Sequence, residues 1–208
     1  LHSSSNILRS GSGLATCSSF HIGYKYAKLG YTAVFEPAVL PSNSRSAIIE
    51  MSDIPLIDKG TYTVLSNDDF LLKLIQKKSN QKKINDYVAW IIQSTKSLGI
   101  KIVNPGGINA FKFNQRELDL DEKNKKYNIT PRSILKVLTK SLIDLKAPHP
   151  IHVHGCNLGI PGNVKTTLKQ INAVEGKPMH LTHIQYHSYN NEGDKKFSSG
   201  ASILAEKI

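Results

Sequence analysis

The sequence predicts an α/β fold in which parallel strands alternate with helices, as in part of a (β/α)8 barrel, and three observations carry this. Short apolar runs at 31–35, 61–65, 99–103 and 151–154 read as buried strands. Between them lie stretches with apolar residues at helical spacing, at 68–77, 84–97 and 131–145. Period-two and period-3.6 patterns taking turns along a chain are the signature of βαβ units. Third, six of the eight histidines fall within residues 147–189, on two successive strand candidates. Barrels of parallel strands gather function at the C-terminal ends of their strands.

Residues 1–13 are polar and turn-rich and are expected to be irregular, with His2 the one residue there able to carry chemistry. Residues 18–29 hold Phe20, Tyr24 and Ala27 at near-helical spacing, with Gly30 as a stop. The strand at 31–35 is expected to end at Glu36-Pro37, making Glu36 a strand-end carboxylate and a candidate site residue. A short helix around 45–51 precedes the strand at 61–65. In the helix at 84–97, Ile84, Val88, Ile91, Ile92 and Leu98 form one side, and Trp90 is expected to join that packed face.

The strand at 99–103 places Lys101 between Ile100 and Ile102, with the breaker Asn104-Pro105-Gly106-Gly107 directly after. A charged, unpaired lysine among buried strand residues costs several kcal/mol. It must reach solvent from an edge strand, pair, lose its proton or be modified. Residues 110–127 read as a polar loop. Thr130-Pro131 then opens a helix with a capping hydroxyl and proline at the first position, and Ile134, Leu135, Leu138, Leu142 and Leu145 form its stripe.

On the strand at 151–154, His152 and His154 alternate with Ile151 and Val153, so both imidazoles share one face. Residues 162–174 read as a helix, and 179–187 as a strand on which His183, Gln185 and His187 share a face. One buried histidine is more often a hydrogen-bonded core residue than a ligand. Several neutral imidazoles gathered together suit zinc and related metals. Cys156 could join them as a ligand, but a small residue filling a turn is the plainer reading. Residues 190–208 begin polar and end in an apolar run that starts a further helix.

With 208 residues and 39% apolar residues the chain suits one domain with its own core. The net charge of +11 raises nucleic acid as a partner. Its lysines, however, are spread over loops and helix edges, and no nucleic-acid-binding motif is present. Two distant cysteines, Cys17 and Cys156, make no disulfide framework. There is no apolar run of membrane-spanning length and no secretory leader pattern, so a cytoplasmic location without membrane contact is expected. The start at Leu1 suggests a missing upstream portion.

Four stretches, GYKYAKLGYTAVFEPA, YVAWIIQSTKSLGIKIVNPGG, PIHVHGCNLGIPGN and HLTHIQYHSY, resemble the A subunit of formylmethanofuran dehydrogenase, of the amidohydrolase superfamily. The related alpha subunit of the bacterial formyltransferase/hydrolase complex shares much of the pattern. The resemblance runs over nearly the whole chain from about Gly23. It implies a partial barrel domain over 1–208, about strands 2 to 6. It further implies a metal-dependent hydrolase of one-carbon metabolism and methanogenesis, interconverting formate plus methanofuran and formylmethanofuran at two zinc ions. Lys101 matches the carboxylated bridging lysine, His154 the ligand of the fifth strand and His183 that of the sixth, with His152 and His187 as second choices. Asn104, Asn157 and Gln185 are implied substrate contacts. Other subunits of such a complex and a methanofuran-type carrier are the implied partners. The His-x-His of the first strand and the aspartate of the eighth find no counterpart, so no catalytic residue is assigned. The alternative is a non-catalytic barrel subunit of such a complex that has lost metal ligands.

Overall fold

A computed structural model describes residues 9–10, 13–14, 18–107, 114–115 and 118–208. His2, Cys17 and part of the 110–127 loop lie outside the described residues. Two two-residue strands, β1 (Arg9–Ser10) and β2 (Gly13–Leu14), pair antiparallel. They fall in the stretch expected to be irregular, because a ladder this short leaves no side-chain period to read.

Five strands build one sheet: β3 (Ala33–Val39), β4 (Asp58–Val64), β5 (Gly99–Val103), β6 (Ile151–His154) and β7 (Met179–Leu181). They lie side by side in chain order, and every pair is parallel. The helices come between them. α1 (Ser19–Lys28) precedes β3, and α2 (Ser44–Ser52) follows it. α3 (Asp69–Gln76) and α4 (Gln81–Thr95) link β4 to β5, α5 (Pro131–Asp144) links β5 to β6, and α6 (Val164–Ala173) links β6 to β7. Parallel neighbours need such crossovers, because a tight turn returns the chain antiparallel.

Local chemistry sets the helix starts. The side chains of Asp68, Asn80 and Thr130 accept hydrogen bonds from the backbone N–H groups of Leu71, Lys83 and Ser133. Each satisfies a donor that the first turn leaves without a partner. The stripes of α3, α4 and α5 then pack on the sheet. Leu71, Leu72, Ile84, Val88, Ile134, Leu135 and Leu138 form one cluster with Ile100, Ile102, Ile151 and Val153. One sheet face is thereby filled, and the residues that alternate with these strand positions face the other way.

Two expectations need correction. β3 runs on through Glu36 and Pro37, which an outermost strand tolerates because proline need not donate there, and the register shifts between Glu36 and Val39. Glu36 is exposed, and its carboxylate accepts from the N–H of Ala38 at 3.2 Å. Trp90 is 60% exposed and stacks on Tyr87 instead of joining the packed face of α4. A hairpin of β8 (Tyr189–Asn190) and β9 (Ser198–Ser199) leads to α7 (Ala201–Ala205), whose Leu204 is buried. Among the described residues, no helix is long and apolar enough to cross a membrane.

Candidate metal centre

Register decides which residues share the face that turns away from the helices. Lys101 stands beside Val64 on one side and His152 on the other. Val103 stands beside His154, and His152 beside His180. Lys101 is thus on the central strand of the sheet, only 2% exposed, which removes the edge-strand explanation for it. Its Nζ donates to Thr182 Oγ1 at 2.9 Å. Among the described residues no carboxylate forms a salt bridge with it. Burial without an opposite charge penalises the ammonium form and lowers its pKa to about 8.

The histidines divide into two groups. The ring of His152 lies 4.4 Å from that of His180 and 5.2 Å from that of Tyr62, centroid to centroid. The ring of His154 lies 5.6 Å from His183 and 6.3 Å from His187. Burial, reinforced by the charge of Lys101 and by neighbouring imidazoles, lowers the pKa of His152 to about 3 and also lowers that of His154. Burial, with the same kind of neighbours, brings fully buried His187 to about 4. These rings are neutral at pH 7, the form that ligates metals. Both ring nitrogens of His152 and of His187 are buried without a hydrogen-bond partner.

The strand expected over 179–187 is much shorter. β7 ends at Leu181; His183 adopts left-handed backbone angles with φ 52°, and a 3-10 turn follows at Ile184–His187. His183, Gln185 and His187 therefore do not share a strand face. His187 is buried, whereas His183 and Gln185 are exposed. Gln185 lines an apolar groove with Tyr189, Phe197 and Leu204. Asn104 and Asn157 instead line one cleft with His154, of about 300 Å³. Both have positive φ, 39° and 57°, in the turns that leave β5 and β6. The N–H of Asn104 donates to the carbonyl of His154 at 2.8 Å, tying those turns together. Cys156 is fully buried and its thiol is pushed up to about 12, chiefly by burial, so it is protonated at neutral pH.

Two residues of this region were not singled out from the sequence. Asn163, within the quoted NLGIPGN stretch, donates through Nδ2 to the carbonyls of Asn157 and Tyr186 and accepts from the N–H of Tyr189. It clamps the turn after β6 to the segment that carries His187. Thr182 meets Lys101 from 81 residues away, and no local pattern marks it.

Among the described residues, no three His, Cys, Asp or Glu side chains stand together as a metal-holding group. Imidazoles alone are thus not a complete ligand set here. The unpartnered nitrogens of His152 and His187 nevertheless fit ligand chemistry, since each neutral ring keeps a lone pair free. Lys101 would become an anionic donor only after modification.

The molecule is an α/β protein with a parallel sheet, covered by helices on one face and presenting a buried lysine and several histidines on the other. No family model matches the chain. It is 36% identical over 188 residues, 90% of its length, to the Fhc A subunit of the formyltransferase/hydrolase complex of Methylorubrum extorquens. It is 37% identical over 212 aligned residues, 97% of its length, to protein FwdA of Methanocaldococcus jannaschii. A crystal structure of the formyltransferase/hydrolase complex FhcABCD from Methylorubrum extorquens with methylofuran contains a chain that superposes with a TM-score of 0.88. The match has 36% identity and covers 91% of this chain and 35% of that one. Over most of its length, then, the chain is a homologue of the Fhc A subunit and of FwdA. It spans 34% and 37% of the length of these curated relatives.

Proposed function

We propose that the chain carries part of a binuclear zinc site of the amidohydrolase kind, on a portion of a (β/α)8 barrel. In this reading it belongs to a subunit that interconverts formate plus a methanofuran-type carrier and the formylated carrier. It works beside other subunits, as the complex named for its relative suggests. The observation that carries the reading is Lys101: buried on the central strand, without an acidic partner, and in register with His152.

Carbamate formation accounts for this residue. The Nζ lone pair of the neutral amine adds to the carbon of CO2, one C=O π pair moves onto oxygen, and one nitrogen-bound proton leaves to solvent. A cation that burial disfavours becomes an anion with two donor oxygens. Lys101 in that form, with His154 and His183, would hold the metal ions; His187 and His152 are the other available imidazoles. When bound, two zinc ions polarise the formyl oxygen and lower the pKa of a water. Asn104 and Asn157, in the cleft of His154, offer amide groups that can orient the formyl amide. The shared cleft also keeps these groups at one mouth of the sheet.

Lys101→Ala in the complete subunit tests this, with zinc measured by mass spectrometry and formyl-amide hydrolysis followed in parallel. Both should fall together, by more than the roughly 10- to 100-fold that loss of an outer-shell partner costs. Retention of two zinc ions by the variant would refute the assignment.

A further inference from the structure

Thr182 lies one residue beyond β7 and extends its ladder, because its N–H donates to the carbonyl of Val153 at 3.0 Å. His180 shares the face of His152, while Leu181, aligned with Val153, packs against the helix-side core. Alternation then returns Thr182 to the lysine face. Its hydroxyl has one proton and two lone pairs. That proton goes to the same Val153 carbonyl, at 2.8 Å. Towards Lys101 Nζ, at 2.9 Å, the hydroxyl oxygen can therefore only accept.

This polarity has chemical consequences for a lysine that must react. A donor placed against the neutral amine would occupy the nitrogen lone pair and block attack on CO2. An acceptor binds an N–H and leaves the lone pair free. After the amine adds to CO2 and releases one proton to solvent, a single N–H remains on a planar group. Fixing that N–H fixes the plane, and with it the direction of the two oxygens.

We infer that Thr182 is a positioning residue for Lys101, holding one N–H through an oxygen that cannot donate back, so that the amine is free to carbamylate and the carbamate is oriented. The role rests on the carbamylated-lysine reading given above. It is a role of the hydroxyl oxygen, shared by serine and absent from valine, whose shape otherwise matches threonine.

The experiment compares the complete subunit with its T182S and T182V variants. Each is incubated with 13C-bicarbonate, and three quantities are read: the carbamate signal by 13C NMR, zinc bound per chain, and the thermal melt. T182S should keep carbamate and zinc. T182V should lose carbamate and bind zinc about 10- to 100-fold more weakly, the range seen when an outer-shell partner is removed. Raising bicarbonate should restore part of both, since mass action can repopulate a mis-set lysine but not an unfolded chain. A T182V protein with undiminished carbamate and zinc overturns the inference. So does failure to recover at high bicarbonate, or an equal loss in T182S. A parent protein without any carbamate signal would instead overturn the underlying reading of Lys101, and the role of Thr182 with it.

Discussion

Three buried bases on one side of the sheet share a physical condition: each becomes charged only at a cost. His187 is fully buried, and its pKa of about 4 lies below the ordinary 6.5. Between those values the unfolded chain binds a proton that the folded chain refuses. By linkage, stability then falls as pH drops through this window, and the penalty is complete below the folded value. His152, lowered to about 3, acts in the same direction. Lys101 acts at the other end: from about 8 to 10.5 the unfolded chain holds a proton that the folded one has released, so stability rises with pH there. Urea midpoints of the metal-free protein should climb between pH 4 and 6.5, and the His187→Asn variant should climb less steeply. An identical slope in the variant would mean that His187 does not titrate as its burial requires.

Elements that look alike in sequence differ in how much of them is local. α5 is set by its own residues: Thr130 caps it through a hydrogen bond from the N–H of Ser133 at 3.2 Å, Pro131 fits the first turn, and Ile134, Leu135, Leu138 and Leu142 of its stripe are buried, while Leu145 at the C-terminal cap is exposed. Thr130→Ala should therefore cost about 1 kcal/mol of stability, read from chemical denaturation. No measurable change would show that the cap is replaced by water. β7 is the opposite case. The alternation of its residues breaks at the polar pair Thr182-His183 and resumes from Ile184, yet after the N–H of Thr182 bonds to Val153 the pairing with β6 ends and the chain turns at His183. The carbonyl of His187, inside the turn, is held by the hydroxyl of Thr167 on α6 at 3.0 Å. Contacts from α6 and Asn163 thus place His187 where a strand would not.

At the scale of the molecule, the stripes of α3, α4 and α5 fill one face of the sheet, and Lys101 and the strand histidines lie on the other. β3 and β7 are its outer strands, and among the described residues nothing pairs with their free edges. Unpaired strand edges invite association with other chains. The described imidazoles also stop short of a complete ligand set. The 208-residue chain expressed alone is expected to associate and to hold fewer than two zinc ions, without formyl-amide hydrolysis. Light scattering, zinc stoichiometry and a hydrolysis assay check this together. A monodisperse protein with two zinc ions and turnover would show that the chain is complete in itself.

The alternation of strands and helices, the capped start of α5 and the place of Lys101 between two isoleucines were all legible in the sequence, because each depends on neighbours within a few residues; that this lysine does not reach solvent followed only from the central place of β5 in the sheet. The NLGIPGN and histidine-rich stretches likewise pointed to the region that the fold gathers. Tertiary structure alone decided the rest. Pro37 is tolerated because β3 is an outer strand, and Trp90 is exposed because the packed arc of α4 stops short of it. His187 is held in its buried place by Thr167, which bonds its carbonyl, and by Asn163, which bonds the backbone of Tyr186 and Tyr189 on either side of it. The partner of Lys101 is 81 residues away in the chain. Local sequence sets backbone preference and side-chain period, whereas the identity of a hydrogen-bond partner across the sheet is set by register, which exists only once the strands have paired.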